Sequence, residues 1–302
     1  MEAPTIEKKK GIHEIVSKIR RGQKPLSHSS LEKFAFPAGG NPRKLKEYWT
    51  GEFKRTKALI EGDAFHVLTL TPDLFDQKFV VDSLPDANRP TSANQIGFID
   101  AILSGMGSHD AYRANYKTFK EEKADELYNA LLPYIEFMEG IGKRDILTKD
   151  QYDMICRMRD AVQQNYTACS ILEQLEQTEQ EIRWENSGFR WRGFLDGNGE
   201  VIVDLKKIRE IVPRKIKWEC EQKGYFRQAA HYTIGAGLHK PYFLIFVDPN
   251  FDVAVFKITE GHIRNAWAEI NHYVELLHHC MDQDLWNMSY DFYGHQNGIF
   301  EI

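Results

Sequence analysis

The sequence predicts an α/β fold in which helices flank a mixed central β-sheet, with a helical addition at the N-terminal side. The first observation is that the apolar period changes from 3.6 residues to 2 residues near residue 187. The second is that short apolar stretches surround two turn signals, Asp196-Gly197-Asn198-Gly199 and Asp248-Pro249-Asn250. The order helices, hairpin, helix, hairpin, helix is typical of a mixed sheet covered by helices.

The N-terminal half is predicted to be mostly helical. Residues 1–24 contain KKK and RR and little core material, so we predict a basic flexible arm there and a single domain over 25–302. Its helical part is expected to cover about 25–182 and its sheet-containing core about 183–302, with the helix that carries His66 joining the core. The predicted elements of the first part are helices over 27–36 and within 44–70, a strand at KFVVDSL in the 75–93 loop, and helices over about 96–181.

The C-terminal part is predicted to hold the sheet. GFRWRGFL and EVIVDLK are predicted strands of a first hairpin, and PYFLIFVDPN and FDVAVFKIT those of a second. Helices are predicted over 218–234, between the hairpins, and over 263–280, after them.

Composition excludes some classes of protein. The formal net charge is -5, which is not the basic balance typical of a nucleic-acid binder, although a local basic groove can still bind phosphates. The four cysteines form no CxxC spacing, so a zinc ribbon or an iron–sulfur cluster is not expected. No signal peptide and no apolar run of about 18 residues is present, so we expect no membrane partner and a cytoplasmic location, the host cytoplasm if a phage encodes the chain.

The stretch VIVDLKK places charged groups beside an apolar strand face. Because side chains alternate along a strand, Asp204 and Lys206 share one face, and Val201, Val203 and Leu205 share the other. A carboxylate can bind a hard cation such as Mg²⁺, and a neighbouring ammonium can act on a water or a phosphate. The alternative is an ordinary salt bridge at a strand end.

Asp196 is a second candidate carboxylate, eight residues before Asp204. In a flat hairpin with a three-residue loop the two aspartates would lie roughly 13 Å apart along the ladder. A single metal then requires a bulge, a strong twist or early separation of the strands. The alternative is a turn residue, because Asp is common before Gly-Asn-Gly.

Two helical pairs complete the polar candidates. Gln228 and Tyr232 are four residues apart, so both can face a phosphate, although an amphipathic helix with a polar edge is the alternative. Gly62 and His66 have the same spacing, and a neutral imidazole can bind a metal, although a structural histidine is the alternative.

Basic residues surround the predicted strands and could form a groove for phosphates. Arg190 and Arg192 alternate with Phe189 and Trp191, so both arginines share one strand face. The alternative is a solvated charged face. The basic candidates are Arg190, Arg192, Lys207, Arg209, Arg214, Lys215 and Lys217.

The order of these motifs is more specific than any one of them. GxxxH, GxxD, DxK and QxxxY, in this order, resemble the RecB-type branch of the PD-(D/E)xK nuclease superfamily. The stretches LSHSSLEKF and EGDAFHVLTLTPDLFDQKFVV are similar to the phage and prophage exonuclease VIII (RecE-type) group. The resemblance spans about residues 26 to 280.

The resemblance implies a Mg²⁺-dependent exonuclease, with Mn²⁺ as a possible substitute. It would degrade one strand of linear duplex DNA from 5′ to 3′ and leave 3′ single-stranded tails for recombination by strand annealing. It also implies DNA ends and a single-strand annealing recombinase as partners, and a homo-oligomeric ring, a trimer or a tetramer.

The resemblance also implies roles for single residues. His66, Asp196, Asp204 and the Leu205 carbonyl would surround the metal. Asp196, Asp204 and Lys206 would be catalytic. The DNA contacts would come from Gln228 and Tyr232, beside the basic residues Lys207, Arg209 and Arg192.

Two positions depart from the family pattern. Phe194-Leu195 stands where a polar pair usually precedes the first aspartate, and Lys207 stands where a threonine usually follows the lysine. Two alternatives stay open. One is an endonuclease with the same core. The other is a DNA-binding or scaffold module whose site is degenerate, which Phe194-Leu195 and the acidic net charge keep open.

Overall fold

The structure is a computed structural model that describes residues 11–52 and 55–294. The chain divides into two compact units, and the division differs from the predicted one. The first unit comprises the described residues of Met1–Thr56 and Arg157–Ile302, and the second comprises Lys57–Cys156. Among the described residues, no helix combines the length and the apolar character that a membrane crossing requires.

The described part of the first unit contains short N-terminal helices, a five-stranded sheet, and further helices before, between and after the strands. The first half of its elements are α1 (Ile12–Arg20), α2 (His28–Glu32), α3 (Pro42–Thr50), α10 (Tyr166–Leu172), β3 (Leu175–Asn186), β4 (Phe189–Gly199) and β5 (Ile202–Lys207). The remaining elements are α11 (Pro213–Gln222), α12 (Tyr225–Ala230), a π-helical turn (His231–Gly235), β6 (Tyr242–Val247), β7 (Val253–Ile258) and α13 (Glu260–Asp282).

The second unit is mainly helical and has its own small apolar core around Phe98 and Ile135. Its two short strands pair in parallel, with Phe79 opposite Asp145. The predicted strand at KFVVDSL is the first of them. The elements are α4 (Lys57–Leu70), α5 (Phe75–Lys78), β1 (Phe79–Asp82), α6 (Ala93–Leu103), α7 (Ser108–Asn115), α8 (Glu121–Ile141), β2 (Asp145–Thr148) and α9 (Lys149–Gln164), within which the boundary between the units falls.

The sheet of the first unit has the strand order β3-β4-β5-β6-β7. The pairing of β5 with β6 is parallel, and the other three pairings are antiparallel. The mixed sheet flanked by helices is therefore the predicted fold class. The predicted second hairpin is confirmed as β6 and β7, and the predicted closing helix as α13.

Two predictions of local structure are wrong. Residues 175–181 were predicted to be helical, but they form the first half of β3, because pairing with β4 outweighs the helix preference of their Glu and Gln residues. The arm predicted over 1–24 is a helix over Ile12–Arg20, and Ile15 and Ile19 of this helix lie in the main core. Residues 1–10 of the predicted arm lie outside the described residues.

A buried arginine links three helices of the first unit. Arg227 on α12 is 3% exposed, and its guanidinium binds Glu32 of α2 through two contacts of 2.7 Å. It also binds Glu269 of α13 at 3.0 Å. A guanidinium that is buried with good geometry compensates for its desolvation only while its carboxylate partners are in place.

We expect Arg227→Met to lower the free energy of unfolding by about 3–5 kcal/mol, because the mostly buried Glu32 would lose its cation. Urea denaturation of the variant measures this. Arg264→Met is the control, since Arg264 forms an exposed pair with Glu260 and should cost below about 0.5 kcal/mol. Equal effects of the two substitutions would contradict the linking role of Arg227.

Two histidines lie near this arginine, one buried and one mostly buried. The rings of His28 and His231 lie 5.8 Å apart, and His231 is 1% exposed. Burial, together with the charges of Arg227 and Lys206, lowers the pKa of His28 to about 3. Burial is also the main reason that the pKa of His231 lies well below its ordinary value, and His28 and Arg227 act in the same direction. Glu32 faces His28 at 3.8 Å, but this carboxylate is bound to Arg227.

We therefore expect the protein to lose stability in mild acid. Both histidines are neutral in the folded state, whereas in the unfolded chain they bind protons below about pH 6.5. The free energy of unfolding should fall from about pH 6.5 toward pH 3, by up to about 1.4 kcal/mol per pH unit for each histidine. Denaturation curves at pH 7, 6 and 5 measure the slope.

His231→Phe should remove about half of that slope, because it deletes one of the two groups. His272→Gln is the control, since His272 is exposed on α13. An unchanged slope in His231→Phe would contradict the assignment.

Candidate active site

The turn between β4 and β5 lies further along the chain than the sequence indicated. β4 continues to Gly199, and the amide of Gly199 donates to the carbonyl of Val201 at 3.0 Å. In the described chain β4 and β5 pair at two positions, Gly197 with Val203 and Asn198 with Ile202. Beyond the Gly197–Val203 pair, the next residue of β4 is Asp196 and the next residue of β5 is Asp204. The expected 13 Å separation is therefore wrong, because it assumed a loop over 197–199.

Where β4 and β5 separate, the side chain of Asp196 accepts a hydrogen bond that a backbone carbonyl would accept in a continuous ladder. The Leu205 amide donates to Asp196 Oδ2 at 2.8 Å. A carboxylate that accepts from a backbone amide is fixed in position. The early strand separation that a shared site requires is therefore present. The predicted role of the Leu205 carbonyl as a ligand stays a prediction.

Asp204 and Lys206 form a mostly buried ion pair on β5. Asp204 is 2% exposed, and Lys206 Nζ lies 2.8 Å from both of its carboxylate oxygens. Gln228 Nε2 on α12 donates to Asp204 Oδ1 at 3.0 Å. The Lys206 ammonium also lies 5.4 Å from the centre of the Tyr225 ring, which supports it from the helix side.

The charge of Lys206 is set by two opposing effects. Burial acts to lower the pKa of Lys206, and the nearby charges of Asp204 and Asp196 raise it. The net shift is upward, so the group is an ammonium in this arrangement. The salt bridge offered by the sequence as an alternative is thus real, and it belongs to a cluster that also contains Asp196.

Glu179 on β3 is a further carboxylate that the sequence analysis missed. The register pairs Thr178 with Gly197 and Gln180 with Leu195, so Glu179 stands across from Asp196. A carboxylate oxygen of Glu179 lies within 4.8 Å of one of Asp196. Glu179 has a φ of 51°, a left-handed conformation that a non-glycine residue adopts at a cost and that is enriched at functional sites.

The donor chemistry of this cluster fits a hard divalent cation. Glu179 and Asp196 offer carboxylate oxygens at close range, and Asp204 lies on the neighbouring strand. Oxygen-only donor sets of this kind suit Mg²⁺ or Mn²⁺ rather than softer metals. Two carboxylates this close repel each other, and a cation between them removes the repulsion.

Gln228 and Tyr232 lie near the cluster, and their predicted contacts with DNA stay predictions. Gln228 directs its amide at Asp204, so it orients a carboxylate. Tyr232 is 5% exposed and lies against Gly193, where an added Cβ would come within 2.4 Å of the tyrosine ring. Burial raises the pKa of Tyr232 to about 12, with Asp204 and Asp196 acting in the same direction. The tyrosine ring therefore packs on β4 beside the acidic cluster.

The remaining predicted site residues lie on β4, on β5, in the loop after β5 and on α4. Arg192 and Arg209 are exposed, and Lys207 is half-buried next to Lys206. Arg192 shares a face of β4 with Asp196, because the two are four residues apart on the strand. Gly62 and His66 lie one turn apart on α4 of the second unit, as the sequence predicted. Metal binding by His66 stays a prediction.

Four side chains on three adjacent strands define the class of protein. They are Glu179 on β3, Asp196 on β4, and Asp204 and Lys206 on β5. A mixed sheet that carries this set is a PD-(D/E)xK-type core, which supports a nuclease as the class of activity. The chain belongs to the family described as "PDDEXK-like domain of unknown function (DUF3799)", which matches residues 27–290. Membership of the superfamily is thus confirmed, and the RecB-type branch and the RecE-type group stay predictions.

The other comparisons add little. A search of the curated proteins found no match. Among solved structures, the chain is similar to a protein from Eubacterium rectale described as "Putative exonuclease", with 12% sequence identity and a TM-score of 0.39. The similarity covers 77% of this chain and 88% of that chain. A likeness of this size carries no argument about activity.

Proposed function

We propose that this protein is a divalent-metal-dependent DNA nuclease that hydrolyses phosphodiester bonds at the β4–β5 site. The observation that carries the proposal is the convergence of three groups on adjacent strands. Asp196 is fixed by the Leu205 amide, and Asp204 is fixed by Lys206 and Gln228. Charged groups held this firmly and mostly out of water suit electrostatic stabilisation of a transition state.

Glu179, Asp196 and Asp204 are the residues of the first unit that would hold the metal. Mg²⁺ or Mn²⁺ would supply Lewis acidity at the phosphodiester. The Lys206 ammonium can orient the attacking water or bind a phosphate oxygen, because it is pinned beside Asp204. Hydrolysis forms a bond from the water oxygen to phosphorus and breaks the bond to the leaving oxygen, which takes up a proton.

The finer assignment follows the family resemblance. We propose a 5′ to 3′ exonuclease on linear duplex DNA that leaves 3′ single-stranded tails. Its proposed partners are DNA ends and a single-strand annealing recombinase, and its proposed assembly is a homo-oligomeric ring. Arg192 and Arg209, both exposed, and Lys207 are the proposed phosphate contacts.

The test compares two DNA substrates with and without metal. Purified protein is incubated with 5′-phosphorylated linear duplex and with a covalently closed circle, in Mg²⁺, in Mn²⁺ and in EDTA. We expect metal-dependent release of nucleotides from the linear duplex and none from the circle. Linear duplexes labelled at one 5′ end or one 3′ end report the polarity.

Each other outcome has a distinct meaning. Cutting of the circle would replace the exonuclease by an endonuclease with the same core. Loss of the 3′ label before the 5′ label would reverse the polarity. A folded protein that binds DNA ends and cleaves neither substrate in either metal would overturn the nuclease proposal and leave a binding module.

A further inference from the structure

Phe194 is the aromatic residue of β4 that faces away from the core. It is 49% exposed, whereas its neighbours Gly193 and Leu195 are buried. Exposure of one phenyl group is ordinary on a protein surface and by itself indicates nothing. The position of this ring relative to the acidic cluster is what makes it informative.

Phe194 shares its strand face with Arg192 and Asp196. Alternate residues of a strand point to the same side, and two residues span on the order of 7 Å. The ring therefore stands next to the carboxylate at which the proposed cleavage occurs. The Arg192 guanidinium lies 5.4 Å from the centre of the Phe194 ring.

The charges on this face leave Arg192 available for a ligand. Arg183 of β3 binds Glu181, and Arg190 of β4 binds Glu185. Arg192 makes no ion pair with any residue that the structure describes. Arg192 and Phe194 together offer the two groups that contact a nucleotide. The exposed ring is an aromatic plane for the base, and the guanidinium is a positive charge for the phosphate.

The strand beneath the ring is held firmly from the opposite side. Tyr232 packs on Gly193, and the β3–β4 register is continuous from Gln180–Leu195 to Asn186–Phe189. The distance from the ring to Asp196 is therefore fixed by a paired strand rather than by a loop. A rigid aromatic group at a fixed distance from a reacting centre can place the terminal nucleotide in register with it.

We propose that Phe194 is a stacking platform for an unpaired terminal base, with Arg192 binding the phosphate beside it. The inference rests on the proposed nuclease function and specifies its substrate as a strand end whose last base is unstacked from the duplex. Stacking on a phenyl group tolerates any of the four bases, because each has an aromatic face. The platform therefore predicts little sequence preference at the end.

The test measures binding separately from cleavage. A single strand carries 2-aminopurine either at its 5′ terminus or at an internal position, and its fluorescence is followed during titration in Ca²⁺. The wild-type protein should quench the terminal probe, and Phe194→Ala should abolish this quenching and weaken affinity roughly 10-fold. Phe194→Trp should restore both. Tyr166→Ala is the control and should leave both unchanged, since Tyr166 is 87% exposed on α10.

A strand with an abasic 5′-terminal nucleotide isolates the stacking contact. Wild type and Phe194→Ala should bind this strand with equal affinity, because the base that distinguishes them is absent. A 10-fold difference that persists on the abasic strand would overturn the platform.

The result also separates this inference from the nuclease proposal. Suppose that the wild type degrades DNA and that Phe194→Ala is unchanged in quenching of the terminal probe, DNA binding and cleavage. The platform proposal is then wrong, and the nuclease proposal is unaffected. If no DNA is cleaved but terminal quenching depends on Phe194, the nuclease proposal fails and the platform stands. Absence of DNA binding by the wild type would overturn both.

Discussion

Replacing Lys206 by methionine is expected to lower the rate of DNA hydrolysis by at least about 100-fold. The ammonium lies 2.8 Å from both Asp204 oxygens, so it is a positive group held at the proposed metal site. Methionine keeps most of the aliphatic volume against Tyr225 and removes the charge. Release of labelled nucleotides from linear duplex in saturating Mg²⁺ measures the effect.

The sequence alone predicts that removing this ammonium leaves the fold nearly intact, whereas the burial of Asp204 indicates that the substitution also destabilises the fold. Asp204 is 2% exposed, and without the ammonium its charge loses a buried partner. The free energy of unfolding should fall by about 3–5 kcal/mol. The double variant Asp204→Asn with Lys206→Met removes both charges and should recover most of that loss while remaining inactive. Activity in the stable double variant would contradict a chemical role for the pair.

Replacing Glu179 by glutamine is expected to lower the rate of DNA hydrolysis by at least about 100-fold and the affinity for Mn²⁺ by at least about 10-fold. The carboxylate stands across from Asp196 and within 4.8 Å of it, so it is a metal ligand in the proposed site. Glutamine retains the size of the side chain and removes the charge. The metal affinity is measured by the paramagnetic resonance signal of free Mn²⁺, without DNA.

Glu181→Gln is the matched control, because Glu181 lies two residues further along the same strand and pairs with Arg183. It should leave both the Mn²⁺ affinity and the rate within about twofold, as expected for an exposed salt bridge. If Glu179→Gln binds Mn²⁺ as tightly as the wild type, then Glu179 is not a ligand and the site is built without β3.

The sequence was sufficient to predict the parts of the fold where local pattern and tertiary structure agree. Over Val201–Lys206 an apolar face alternates with the face that carries Asp204 and Lys206, and β5 places these two residues together as expected. The second hairpin has a strong turn between two apolar runs, and its strands are β6 and β7.

The sequence was misleading where polar residues form a strand. The segment LEQTEQEIRWEN is rich in Glu and Gln, which favour helices, yet it forms β3. A usable signal was present, because Asn186-Ser187-Gly188 is a turn sequence between two stretches that alternate. A hairpin built on that turn would have paired β3 with β4 and placed Glu179 across from Asp196.

The division into units could not be predicted from the sequence. The second unit is inserted between two segments of the first, and helices lie on both sides of the insertion. Helical periodicity describes one face of one helix and does not specify which core that face joins. The same limit applies to α1, whose buried Ile15 and Ile19 are spaced like a core face within a basic segment.

Asp196 has a structural function, at the point where β4 and β5 stop pairing, and a proposed catalytic function. Different substitutions would separate the two. Its carboxylate receives the Leu205 amide, as a backbone carbonyl does in an unbroken pair of strands. Asparagine can still accept that hydrogen bond through its side-chain oxygen, whereas alanine leaves the amide without an acceptor. Asp196→Asn is therefore the form of the protein suited to trapping an uncleaved DNA complex for crystallography, since it loses the charge and keeps the architecture of the strands.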